Sequence, residues 1–185
     1  MKTDTLVLGR EQAKIKSAAI VVLFVILMAV ASRVVIPLPF SPVPVTLQVF
    51  MVILSGLILG SKKSAIVQGT FLLMILMGMP LTAYGLAGPA AFVSPTAGYL
   101  LAFLPAAYLV GLYSEKLTGF YNKFVAGLLG IIVIYLGGTV WLAVYLQSFA
   151  RAWQLGVAPF VVIDTVKAFI AVLASAGLKK SSLLD

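Results

Sequence analysis

Apolar and polar positions in this chain are sorted segment by segment: long uncharged stretches alternate with short clusters that hold most of the lysine and arginine. Such runs predict membrane-crossing helices, since a span needs roughly 20 apolar residues. A first helix is predicted from about Ile15 to Ile36, ending beside Arg33, after a polar tail over residues 1–13. A second over about Val45–Gly60 and a third over about Ser64–Gly78 are each short for a straight span and meet at the basic turn Ser61-Lys62-Lys63-Ser64. A fourth runs over about Thr96–Tyr113, a fifth over about Phe124–Leu146 and a sixth over Val161–Gly177. The pattern predicts an all-α integral membrane protein, a single six-helix domain over residues 14–185 with no separate soluble domain.

Three connections are too irregular for helix. Pro37 to Pro44 holds four prolines in eight residues, which remove donors and push their predecessors into extended geometry. Its core, Pro39, Phe40, Ser41, Pro42, Val43 and Pro44, is uncharged and stiff, suited either to breaking a helix or to serving as a lid. The stretch from Met79 to Pro95 is rich in Gly, Ala and Pro and is expected to dip into the protein, because bare backbone cannot face lipid. Gln147 to Pro159 reads as a connection with Arg151 and Trp153 at the interface. In the fifth helix Gly127, Gly130, Gly137 and Gly138 permit close helix approach.

The sixth segment, VVIDTVKAFIAVLASAG, is the one apolar run with charge in its interior. Asp164 and Lys167 lie three apart and share a helical face, continued by the small residues Ala168, Ala171 and Ser175. Ile163, Val166, Ile170 and Leu173 make the opposite face apolar, so the charged face is expected to look inward. Each charge costs roughly 2.5–3.5 kcal/mol to place in a membrane helix. Two readings account for that cost: an ion pair that holds helices together, or a polar binding site within the bundle.

Composition supports the membrane reading, with 62% hydrophobic residues, 10% charged residues and a mean hydropathy of +1.16, whereas soluble domains carry about 25% charge. The net charge of +8 serves topology rather than nucleic-acid recognition. Lys2, Arg10, Lys14, Lys16, Lys62, Lys63, Lys116, Lys123, Lys179 and Lys180 fall on one predicted side, Arg33 and Arg151 on the other, and Lys167 within the membrane. Both termini are therefore expected in the cytoplasm, with apolar external loops above a polar site. No cleavable leader is expected, the first apolar run being a span. Histidine and cysteine are absent, which closes zinc, thiol and His-based chemistry. The string GLILGSKKS lacks the spacing of a Walker phosphate loop, so no nucleotide site is predicted.

Ile36-Pro37-Leu38-Pro39-Phe40-Ser41-Pro42-Val43-Pro44-Val45-Thr46-Leu47-Gln48, Ser94-Pro95-Thr96-Ala97-Gly98-Tyr99-Leu100 and Asp164-Thr165-Val166-Lys167 together resemble the BioY family, biotin-specific substrate-binding components of energy-coupling factor transporters. The likeness runs from the first helix to the sixth. Where the family usually reads Gly-Pro-Thr-Gly-Gly-Tyr, this chain has Ser94 and Ala97. The resemblance implies a six-helix bundle in a prokaryotic cell membrane that captures biotin from outside under its first loop. It also implies energising partners, a membrane coupling subunit and two ATPases, and no enzymatic activity in this chain. Biotin would be cargo and no cofactor is expected. The candidate ligand contacts are Asp164, Lys167, Thr46, Gln48 and Tyr99. The rival reading is a self-sufficient secondary transporter switching on Asp164 and Lys167, although the two halves of the chain show no paired repeat. An intramembrane enzyme would need a second buried carboxylate or a histidine beside Asp164.

Overall fold

A computed structural model describes the backbone of residues 2–180 and the side chains of residues 12 and 14–178. Helix α1 (Lys2–Ala31) is followed by strands β1 (Val35–Ile36) and β2 (Val45–Thr46), then α2 (Gln48–Leu76), a 3-10 helix over Gly88–Val93, α3 (Ala97–Lys116), α4 (Phe120–Leu146), α5 (Phe149–Gly156) and α6 (Val161–Lys180). Among the described residues five helices are long and apolar enough to cross a membrane, α1 through its window Lys14–Ala31 together with α2, α3, α4 and α6. This is a multi-pass membrane protein.

Helix α2 is two helices in sequence. Gly60 has φ +78° and ψ −178°, a conformation open essentially only to glycine, and there the helix breaks. Gln68 Nε2 then donates to Ser55 Oγ at 3.3 Å across thirteen residues, which a straight helix would hold about 20 Å apart. The arms 48–59 and 61–76 are therefore folded back on each other. Glu115 at the end of α3 fixes the bend: its Oε1 accepts from the Ser61 backbone N–H at 2.7 Å, and both its oxygens accept from Ser61 Oγ. A carboxylate at this helix start meets the unpaired N–H groups and positive dipole end that helices present there. Ser64 Oγ adds a bond to the Ala107 carbonyl.

Helix α3 packs between α2 and α4, and α6 lies against both α2 and α4. Glycines set the α3–α4 distance: a Cβ on Gly98 would meet the Gly137 carbonyl oxygen at 2.4 Å, and one on Gly137 would meet Ala102 Cβ at 2.8 Å. Small residues at helix contacts let backbones approach in lipid, where packing rather than the hydrophobic effect joins helices.

Several sequence expectations are corrected. The first helix stops at Ala31, not Ile36, because Ser32 and Arg33 turn the chain and the β-branched Val35 and Ile36 pair as a strand, in register Val35↔Thr46 and Ile36↔Val45. The proline stretch is thus the loop of a two-stranded hairpin. Helix α1 begins at Lys2, inside the stretch read as a polar tail; the side chains of Lys2 and Arg10 lie outside the described residues, as do those of Lys179 and Lys180. The connection 147–159 contains the short helix α5, capped by Ser148 Oγ accepting from the Arg151 N–H at 3.3 Å. The stretch 79–95 contains the 3-10 helix Gly88–Val93.

Candidate binding site

One face of α6 is buried as its periodicity predicts. Asp164, Lys167, Ala168, Ala171 and Ser175 are all buried, while Val166, Ile170 and Leu173 remain about half exposed on the face left to lipid. Lys167 Nζ donates to Asp164 Oδ1 at 2.7 Å within the same helix. The other carboxylate oxygen, Oδ2, accepts from Tyr135 Oη on α4 at 2.8 Å. Each buried charge is therefore paired and hydrogen-bonded, the condition under which burial is tolerated.

This group lies along a narrow cleft, open at its mouth, whose free volume is about 60 Å³, below the roughly 300–1,000 Å³ typical of small-molecule sites. The walls come from α2 (Gln48, Val49), α3 (Tyr99, Leu100, Phe103), α4 (Ile134, Tyr135) and α6 (Asp164, Lys167), with Phe160 just before α6. Val43, Pro44 and Thr46 of the hairpin line it too, with Thr82 and Ala83 of the 77–87 loop and Thr96 at the start of α3. Arg33 ties that loop to the end of α1 by donating from Nη2 to the Pro80 carbonyl. The lining is mostly apolar and aromatic with several polar groups, the buried Asp164 and Lys167 among them, as ligand sites generally are.

Gln48 follows the hairpin directly, at the start of α2. Its Oε1 accepts from Thr46 Oγ1 at 3.3 Å, while its buried Nε2 has no partner within the protein. A buried unpaired donor costs about 1–3 kcal/mol, which an acceptor placed beside it would offset. Tyr99 is positioned by two glycines. Its ring lies where a Cβ on Gly138 would stand, 2.2 Å away, and its hydroxyl donates to the Gly156 carbonyl at 2.9 Å.

Thus the structure places Asp164, Lys167, Thr46, Gln48 and Tyr99 around one cleft. Of the proline loop it brings Val43 and Pro44 to the lining; Ser41 is buried behind them, Pro42 is half-buried, and Pro39 and Phe40 are exposed. The sequence reading missed Tyr135, Thr82, Thr96, Phe103 and Phe160. Tyr135 carried a usable signal, as the single hydroxyl between Gly130 and Gly137 in the apolar run of α4. Thr96 lies within the Ser94–Leu100 motif, whereas Thr82 carried no signal, lying in a stretch with no periodicity.

Comparison with known proteins shows the family and the fold. The profile of the BioY family matches residues 4–183. The "Biotin transporter BioY" of Thermotoga maritima is 38% identical over 145 residues, 78% of this chain and 86% of the relative. The "Probable biotin transporter BioY" of Pyrococcus horikoshii is 39% identical over 166 residues, 90% of this chain and 98% of the relative. A crystal structure of "the S-component for biotin from an ECF-type ABC transporter" superposes with a TM-score of 0.85 at 26% identity, covering 91% of this chain and 93% of the other. With the family profile spanning nearly the whole chain and relatives matched over most of their own length, this protein belongs to the BioY family.

Proposed function

We propose that this protein is the biotin-binding membrane subunit of an ATP-driven importer of the energy-coupling factor type. The observation that carries the reading is the Asp164–Lys167–Tyr135 cluster, buried beside an apolar cleft whose rim is the proline hairpin. The names of the relatives, biotin transporters, supply the ligand. Six spans with both termini in the cytoplasm follow if the two arms of α2 each count as a crossing. The cleft then opens to the outside, and the hairpin acts as its lid. Energy comes from separate partners, a membrane coupling subunit and two ATPases.

Biotin enters with its ureido ring toward the charged pair. That pair is neutral as a whole, and a neutral guest leaves it so, whereas a carboxylate would add net charge in low dielectric. Each Asp164 oxygen, already holding one donor, has room for another, which ureido N–H groups supply; Lys167 keeps N–H groups for the ureido oxygen. The valerate carboxylate points toward the mouth.

Equilibrium binding of a vitamin panel to the detergent-purified protein tests the reading, with biotin the tight ligand. Altering the ureido carbonyl is expected to cost at least a hundredfold in affinity, and amidating the carboxylate less than tenfold, by the relative worth of charged and neutral hydrogen bonds. The reverse order would place the carboxylate on Lys167. Failure of biotin to bind at all would end the proposal.

A further inference from the structure

Two consecutive carbonyls at the end of α5, those of Leu155 and Gly156, have no intrahelical partner, and the reason is in the sequence. The N–H that would close the next helical bond onto Leu155 belongs to position 159, which is proline and has none. The N–H of Phe160, next in line for Gly156, donates instead to the Val157 carbonyl at 2.9 Å. Helix ends leave such acceptors open for groups from elsewhere. Here Ser41 Oγ of the hairpin donates to the Leu155 carbonyl at 2.6 Å, and Tyr99 Oη of the cleft wall donates to the Gly156 carbonyl at 2.9 Å.

These two bonds join parts of the chain that are far apart in sequence. Ser41 is 114 residues from Leu155 and lies two residues before Val43, which lines the cleft. The same hydroxyl accepts from the Val43 N–H at 3.1 Å, so it braces the hairpin internally while fastening it externally. Gly156 meets the same hydroxyl by steric fit, since a Cβ there would stand 2.2 Å from Tyr99 Oη. The end of α5 is therefore fixed to α3, which lines the cleft, and offers the hairpin a fixed acceptor.

We propose that Ser41 is a positioning residue that latches the hairpin shut over the cleft through the α5 carbonyl freed by Pro159, and so sets how long a ligand stays bound. The kinetic part rests on the reading that the cleft takes biotin; the latch itself does not. In the unliganded protein, exchange of the hairpin amides over residues 38–46 other than Val43, whose own bond to Ser41 Oγ is lost as well, is expected to quicken roughly three- to tenfold in Ser41→Ala, the worth of the bond to Leu155, with α4 unchanged. Ser41→Cys fills the serine space with a weak donor and is expected to quicken exchange as well. Displacement of labelled biotin should then show dissociation faster by a similar factor with association no slower, a split that a merely distorted site would not give. Hairpin exchange at the parental rate in either variant, or an unchanged dissociation rate, overturns the latch. Absence of biotin binding in the parent removes the proposed function, and the exchange comparison still decides the latch.

Discussion

Asp164 has a lysine on one oxygen and a tyrosine on the other, and these partners differ in kind. Removing either charge of the pair strands its partner in a low-dielectric interior at about 3–5 kcal/mol. Asp164→Asn and Lys167→Ala are therefore expected to abolish biotin binding, measured calorimetrically, while α6 still packs through Ala168, Ala171 and Val172 and the protein elutes as a folded species. Parental affinity in both variants would reduce the pair to a structural tie. Tyr135→Phe removes one neutral donor and leaves both charges paired. Its loss should be smaller, roughly ten- to a hundredfold in Kd, because a hydrogen bond to a charged group is worth about 1.5–3 kcal/mol net. A loss as large as that of Asp164→Asn would mean that the tyrosine itself touches the ligand.

At the scale of elements, the bend in α2 depends on one backbone conformation and one carboxylate. Gly60→Ala places a Cβ 2.2 Å from Glu115 Oε1 and imposes a left-handed φ on an L side chain, which costs about 1–3 kcal/mol before the clash is counted. Glu115→Gln keeps the shape and loses the negative charge at the helix start, with an expected cost of about 1 kcal/mol, as for a weakened cap. Thermal unfolding in detergent should rank the parent above Glu115→Gln and Glu115→Gln above Gly60→Ala. Equal midpoints for Gly60→Ala and the parent would show that the bend tolerates ordinary backbone.

For the whole molecule, the distribution of basic residues predicts one orientation, since cytoplasmic loops of membrane proteins carry the excess of lysine and arginine. The chain has no cysteine, so single cysteines introduced by Phe40→Cys and Lys63→Cys report side without background. A membrane-impermeant maleimide applied to intact cells should label position 40 and leave position 63 unlabelled until the cells are permeabilised. Labelling of position 63 from outside would invert the molecule and close the cleft to external biotin. The glycine seam between α3 and α4 brings Tyr99 and Tyr135 near enough to share a cleft with α6.

What the sequence determined alone was whatever depends on local period and on the cost of charge in lipid. The buried face of α6 was legible because two charges three residues apart allow one low-cost orientation, and the spans were legible because transfer free energy sums along a run. The fold of α2 was half legible: the turn at Ser61 showed, while Glu115 as its fastening did not, being 54 residues away. The end of α1 is not legible because Val34 to Ile36 are as apolar as the helix before them, and hydropathy does not separate a last helical turn from a first strand. Helix α5 is too short to show in a search for membrane spans, although Ser148 and Gly156 punctuate it and its eight residues are strongly amphipathic. Tyr135 on Asp164 and Ser41 on Leu155 were decided by tertiary structure alone. A hydroxyl's partner depends on which helices meet and at what distance, and that follows from the packing of the whole bundle rather than from any one segment.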